Sequence, residues 1–96
     1  MSASGGKAVS RQLTLQNRRG LHARAAARLA ATAEQFESDI DVTFNGRCVN
    51  AKSIMGVMML AAACGKTLSI TATGPDADEA LDEIAALINA RFHESE

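Results

Sequence analysis

The chain has 96 residues, of which 47% are hydrophobic and 22% are charged, and its formal net charge is -1 at pH 7. This length suits one domain with a core of its own, so a second domain is not expected. A net charge so close to zero excludes a global attraction to nucleic acid or to an anionic membrane surface.

The two ends of the chain are polar. We expect residues 1–8 to form a disordered tail and residues 93–96 to form a polar tail, with a single folded domain over 9–92. The start lacks the apolar core of a secretory signal, and no apolar run reaches the roughly 20 residues of a membrane span. The expected location is therefore the cytoplasm, with no membrane partner.

The two cysteines give no sign of metal or redox chemistry. Cys48 and Cys64 lie outside any CxxC pattern, and no histidine stands at ligand spacing from them. We expect free thiols that are partly or wholly buried, with neither a metal site nor a cofactor.

The spacing of the apolar residues predicts seven elements. They are a strand over 9–16, an alanine-rich helix from about 22 to 37, two strands on either side of Asn45-Gly46, a short helix over 54–62, a strand over 67–72 and a last helix opening near Asp76. Asn-Gly favours a type I′ turn, which pairs its flanking strands antiparallel. Asp76 and Glu79 resemble a capping box. The order βαββαβα predicts an α+β open-faced β-sandwich: a four-stranded antiparallel sheet with three helices on one face.

The segment Gly20-Leu21-His22-Ala23-Arg24 places an imidazole and a guanidinium where a loop becomes a helix. The first turn of a helix has free N–H groups and the positive end of the dipole, and both favour an anion. A histidine also offers a neutral, nucleophilic nitrogen near pH 7. His22 is therefore a candidate phosphoryl acceptor, with Arg24 stabilising the phosphoryl group. The residues alone leave open the alternative that His22 only caps the helix.

The short helix that begins at Ile54 is apolar nearly all round, and Ser53 is a good N-cap for it. A helix on the outside of a one-sheet domain cannot bury every face. We therefore expect Ile54, Met55 and Met58 to remain exposed as a patch that docks partners. The alternative is that all these side chains belong to the core.

Two motifs about thirty residues apart resemble the histidine-containing phosphocarrier (HPr) family of the bacterial phosphotransferase system. The first is Gly20-Leu21-His22-Ala23-Arg24, and the second is Val49-Asn50-Ala51-Lys52-Ser53-Ile54-Met55-Gly56-Val57-Met58. Gly74-Pro75-Asp76-Ala77, which opens an acidic last helix, also matches. The resemblance covers the chain from about 9 to 92, and so identifies that range as one HPr-like domain.

The resemblance implies a monomeric carrier rather than an enzyme. His22 would be phosphorylated on Nδ1 by Enzyme I, itself charged by phosphoenolpyruvate, and would pass the group to an EIIA-type domain. Arg24 would stabilise the phosphoryl group, and Arg28 lies one helical turn further on, where it would contact a partner or the phosphate. Ser53 matches a regulatory serine that HPr kinase/phosphorylase phosphorylates in many bacteria. The partner-binding surface would include Ile54, Met55, Met58 and Arg28.

One position departs from the pattern of the sugar pathway. Most sugar-pathway members have proline where this chain has Ala25, and alanine is typical of the nitrogen-related (NPr) branch. A mainly regulatory, nitrogen-type carrier is therefore an alternative to a sugar carrier. A module that binds partners without phosphotransfer is a second alternative. Three phenylalanines with no Trp or Tyr leave too few stacking platforms for a nucleic-acid partner.

Overall fold

The structure is a computed structural model that describes residues 7–94. Within this range the elements are β1 Lys7–Thr14, α1 Ala23–Glu34, β2 Asp39–Phe44, β3 Arg47–Asn50, α2 Ile54–Met59, β4 Thr67–Gly74, α3 Ala77–Asn89 and a 3₁₀ helix Arg91–His93. The predicted α+β fold with the order βαββαβα is confirmed. Of the predicted tails, residues 1–6 and 95–96 lie outside the described range. Lys7 and Ala8 already belong to β1.

The sheet is antiparallel throughout, with the strand order β1-β4-β2-β3. The β2–β3 hairpin turns at Asn45 and Gly46, whose φ angles are 54° and 82°. Two positive φ angles in succession are the requirement of the predicted type I′ turn. In the hairpin Phe44 pairs with Arg47.

One core lies between the sheet and the three helices. The apolar side chains that alternate along the strands face this core, and so do those at helical spacing on α1 and α3, as the sequence predicts. Its fully buried members include Ile40, Val42, Leu68, Ile70, Ala26, Leu29, Leu81, Ile84 and Ile88. Burying each leucine or isoleucine stabilises the fold by about 1.5–3 kcal/mol relative to leaving it exposed.

Both α1 and α2 end three residues earlier than predicted. After Glu34 the N–H groups of Gln35 and Phe36 bond three residues back, so the last turn tightens and releases Phe36 to pack against the core. After Met59 the N–H of Ala61 also bonds three residues back, and Ala61 takes the left-handed φ of 52°. The α2 helix therefore stops before residue 62, the end that the sequence predicts.

The prediction that both cysteines are partly or wholly buried is wrong, although both are free. Cys48 lies on β3, where it pairs with Thr43 of β2. The next residue, Val49, points to the opposite face of the sheet and packs against the core. The Cys48 side chain therefore lies on the sheet face that no helix covers. Cys64 is exposed in the loop that follows α2.

The predicted capping box of α3 is also wrong, because the Asp76 side chain makes no cap hydrogen bond. Its carboxylate accepts from the backbone N–H groups of Glu37 and Ser38, both at 2.9 Å, and from the Ser38 hydroxyl at 2.5 Å. These bonds tie the start of α3 to the loop between α1 and β2. The Ser38 hydroxyl, followed by the Glu37 N–H, holds the pKa of Asp76 below its ordinary value.

We expect Asp76→Asn to lower stability at neutral pH, because an amide oxygen accepts more weakly than a carboxylate. An aspartate whose pKa is lowered by folding adds stability that is fully present above the ordinary value of about 3.9. That stability is lost as the pH falls through the folded-state pKa. The urea midpoint of Asp76→Asn should therefore lie below that of the native protein at neutral pH. The two midpoints should converge at an acid pH below the folded-state pKa of Asp76, where both side chains are neutral.

Asp39→Asn, at an exposed position of β2, is the matched control and should have little effect at either pH. A deficit of Asp76→Asn that has the same size at both pH values would contradict the role given to its charge.

Candidate functional site

His22 is the N-cap of α1, with φ -77° and ψ 179°. Its carbonyl oxygen accepts the first helical hydrogen bond, from the N–H of Ala26 at 2.8 Å. Its ring nitrogen Nδ1 accepts from the N–H of Arg24 at 3.3 Å. The same nitrogen, Nδ1, therefore caps the helix and lies beside the free N–H groups of the first turn, where an anion can bind.

The loop before His22 is fixed by contacts with its own residues and with the segment after α2. Asn17 is fully buried and donates from Nδ2 to the carbonyl oxygen of Gly20 at 2.7 Å. Gly20 has a left-handed φ of 65°, and the next residue, Leu21, is buried and donates to the carbonyl of Ala62 at 2.9 Å. The imidazole is therefore carried by a braced turn.

Glu94 contacts the other ring nitrogen of His22. Its Oε2 pairs with Nε2, and its Oε1 accepts from Nδ2 of Asn17 at 3.2 Å. The Glu94 side chain is 8% exposed, and that of His22 is 21% exposed. Desolvation by itself raises the pKa of Glu94, but hydrogen bonds from His22 and Asn17, with the charges of His22 and Arg24, outweigh it and lower that pKa.

The chain around Glu94 is itself anchored. Phe92 is fully buried, and its carbonyl oxygen accepts a hydrogen bond from the guanidinium of Arg28. Arg91, Phe92 and His93 all have left-handed φ angles, between 55° and 62°. Glu94 therefore belongs to the site, although it lies in the range 93–96 that the sequence predicts to be a polar tail. Arg28, predicted to meet a partner, has an internal acceptor in this structure.

Arg24 is exposed at the start of α1, two residues after His22. Within residues 8–94 the ion pairs are Arg11–Asp82 and His22–Glu94, so the guanidinium of Arg24 has no carboxylate partner there. Its positive charge still acts on Glu94. The structure therefore brings His22 and Arg24 together with Asn17 and Glu94, two residues that sequence analysis did not assign to the site.

The second predicted surface lies on α2, which packs against α1. The side chains of Ile54, Met55 and Met58 are 44%, 69% and 37% exposed, as predicted, and Met59 is 62% exposed. We call these four residues the α2 patch. Ser53 is the N-cap of α2, and its Oγ accepts from the N–H of Gly56 at 3.0 Å. Met59 was not predicted to be exposed, because the patch was expected on one side of the helix, at Ile54, Met55 and Met58.

Among the residues that the structure describes, no helix is long and apolar enough to cross a membrane. The same range contains no cluster of three or more histidine, cysteine or acidic side chains that could hold a metal ion.

Comparison with known proteins decides the family. The family model described as "PTS HPr component phosphorylation site" matches residues 9–90. The chain belongs to the HPr family. Its members are the phosphocarrier proteins of the phosphotransferase system, which are not catalysts in the strict sense, and the resemblance drawn from the two motifs is confirmed.

Individual relatives cover almost the whole of this HPr-family chain. It is 51% identical over 88 residues to a phosphocarrier protein HPr of Cupriavidus necator, a match that spans 92% of this chain and 99% of the relative. It is 42% identical over 87 residues to a phosphocarrier protein NPr of Shewanella violacea, spanning 91% and 96%. The crystal structure of HPr-C-His from Thermoanaerobacter tengcongensis matches with a TM-score of 0.87 and 39% identity, covering 92% and 99%. Sequence relatives of both names, and a solved structure named HPr, therefore match almost the whole of this chain.

We expect Gly20→Ala to destabilise the protein more than Gly46→Ala. Both glycines have left-handed φ angles, 65° and 82°, so an alanine at either position is strained by about 1–2 kcal/mol. At Gly20 the added methyl also meets backbone, the Ala62 carbonyl oxygen and Ala63 Cα, whereas at Gly46 it meets nothing within 4 Å. The clash should add roughly 1–3 kcal/mol to the loss at Gly20.

Urea unfolding of the two variants measures both losses, and Gly46→Ala supplies the strain without the clash. Equal losses would show that the turn before His22 is free to move away from the loop after α2.

Proposed function

We propose that this protein carries a phosphoryl group on Nδ1 of His22, accepting it from phosphorylated Enzyme I and passing it to an EIIA-type domain. The observation that carries the proposal is the position of Nδ1 at the N-terminal end of α1, where it accepts a hydrogen bond from the N–H of Arg24. A nitrogen that accepts must hold a lone pair, and a lone pair is what attack on phosphorus needs.

Both transfers balance without a proton leaving Nδ1. In the first, the lone pair of Nδ1 attacks phosphorus, the Nδ1–P bond forms, and the bond from phosphorus to the donor breaks with its electrons staying on the donor. In the second, the acceptor attacks phosphorus and the electrons of the Nδ1–P bond return to Nδ1. A group that must leave again needs a site that stabilises it without enclosing it.

The stabilising groups are the free N–H groups of the first turn of α1 and the guanidinium of Arg24. When Nδ1 bonds to phosphorus, the N–H of Arg24 loses its nitrogen acceptor and gains a phosphoryl oxygen in the same place. The exposed guanidinium offers a planar set of donors to the remaining charge. In this scheme His22 accepts the phosphoryl group and Arg24 stabilises it, which are the roles that the sequence predicts for them.

The α2 patch is the surface that we assign to Enzyme I and EIIA-type domains. It is apolar, exposed and rich in methionine, whose flexible side chains adapt to more than one partner. Phosphorylation of Ser53, which we assign to HPr kinase/phosphorylase, would place about two negative charges at the edge of this patch. The N-terminal end of α2 would tolerate them, so the effect would fall on docking.

Ala25 supports a second candidate, a mainly regulatory carrier of the nitrogen type. Its side chain is fully buried in the first turn of α1, and unlike proline it retains an N–H that a phosphoryl oxygen can use. Competition between purified sugar-type and nitrogen-type EIIA proteins for the phosphorylated protein would separate the two candidates. Faster transfer to the nitrogen-type acceptor would favour the regulatory carrier.

The direct test uses intact mass spectrometry after incubation with phosphoenolpyruvate and Enzyme I of the same organism. We expect the native protein to gain one acid-labile phosphoryl group and His22→Ala to gain none, because this variant lacks the Nδ1 lone pair that attacks phosphorus. The chain has 2 histidines, so His93→Ala is the matched control and should be phosphorylated like the native protein. Absence of a gain in the native protein would favour the interaction module.

Ser53→Asp tests the role of the α2 patch, since it places a negative charge beside Ile54 and Met55. We expect this variant to bind Enzyme I about 10-fold more weakly, because a charge at the rim of an apolar surface opposes its desolvation. Ser53→Ala is the control: it removes the cap, at about 1 kcal/mol of stability, but adds no charge. Titration calorimetry measures both affinities, and unchanged binding of Ser53→Asp would remove the patch from this interface.

A further inference from the structure

We propose that Glu94 is a positioning residue that holds the imidazole of His22 in the tautomer with its proton on Nε2. This leaves the Nδ1 lone pair free to attack phosphorus. The inference rests on the proposed function of His22 and adds to it the reason why one ring nitrogen, rather than the other, is the nucleophile.

The hydrogen bonds at the two ring nitrogens select the same tautomer. At Nδ1 the partner is the backbone N–H of Arg24, which can only donate, so Nδ1 must be the acceptor. At Nε2 the partner is the carboxylate of Glu94, which can only accept when ionised, so Nε2 must carry the proton. Reversing the tautomer would set an N–H against the Arg24 N–H and a lone pair against a carboxylate.

Glu94 is held in place firmly enough to impose this choice. Its side chain is 8% exposed, and its second oxygen accepts from Asn17, which is fully buried. The backbone two residues earlier is fixed by the buried ring of Phe92 and by the guanidinium of Arg28. Rotation of the carboxylate away from His22 would break the Asn17 bond as well, so two contacts hold the carboxylate against the imidazole.

The Glu94 carboxylate also stabilises the His22 ring when that ring is positively charged. Formation of the Nδ1–P bond turns the neutral imidazole into an N-phosphoryl imidazolium, which keeps its proton on Nε2. A carboxylate bonded to that proton stabilises the positive charge and leaves no second nitrogen available for attack. Glu94 does not touch phosphorus in this scheme, so its part is to position and stabilise His22.

The test is nitrogen-15 NMR of histidine-labelled protein at a pH where the imidazole is neutral, because protonated and unprotonated ring nitrogens have widely separated shifts. We expect Nε2 to be protonated in the native protein. In Glu94→Ala the ratio of Nε2–H to Nδ1–H should fall about tenfold, the size of one charge-assisted hydrogen bond. The ratio in Glu94→Gln, whose side-chain oxygen still accepts a hydrogen bond, should lie between those of the native protein and Glu94→Ala.

Glu83→Ala is the matched control. It removes a carboxylate from the exposed face of α3, beside Gln35 at the opposite end of α1 from His22, and should leave the tautomer unchanged. Thermal unfolding of each variant will show whether it is folded. If Glu94→Ala is folded and keeps the native ratio, the proposal is overturned.

Chemical phosphorylation with phosphoramidate, which releases ammonia as the phosphoryl group moves to the ring, gives a second readout that requires no partner protein. We expect Nδ1 alone to be phosphorylated in the native protein and both nitrogens to be phosphorylated in Glu94→Ala. The same single product in both would overturn the proposal. Failure of the native protein to accept a group from Enzyme I would instead overturn the proposed function, without moving the tautomer ratio.

Discussion

The hydrogen bond between the Arg24 N–H and Nδ1 of His22 is the interaction on which the rest of the site depends. A serine or aspartate in the same position would cap α1 equally well, but its oxygen would not hold a phosphoryl group that leaves again readily. With histidine, the atom that accepts a hydrogen bond from the helix end, Nδ1, is also the nucleophile. When Nδ1 becomes bonded, phosphoryl oxygens take its place at the free N–H groups, so the helix end has partners in both states.

The rest of the fold holds this helix end and the imidazole of His22 in position. The sheet and helices share one core, and α1 is anchored to it by a row of buried alanines and Leu29. The turn before His22 is held by Asn17, by Gly20 and by the loop after α2, which a side chain at position 20 would strike. The end of the described chain then returns across the site and places Glu94 on Nε2. Two segments distant in sequence therefore hold His22: the loop after α2 braces the turn before it, and the end of the described chain contacts its imidazole.

Sequence patterns predicted the features that depend on neighbouring residues and missed those that depend on distant ones. The strands, the Asn45-Gly46 turn, the N-cap at His22 and the exposure of Ile54, Met55 and Met58 all follow from local spacing. The contact of Glu94 with His22 joins residues 72 positions apart, and Asp76 leaves its own helix for a loop 38 positions earlier. No local pattern shows such contacts. Cys48 was misplaced because its residue type is compatible with both faces of a strand, whereas Cys64 lies in the loop that follows α2.

The position of the phosphoryl group on His22 can be tested by NMR of the phosphorylated protein with nitrogen-15 in the histidine rings and the backbone. We predict a phosphorus–nitrogen coupling to Nδ1 of His22, together with a large shift of the Arg24 amide as its acceptor changes from nitrogen to a phosphoryl oxygen. A coupling to Nε2, or phosphorylation that leaves the Arg24 amide unmoved, would contradict the account.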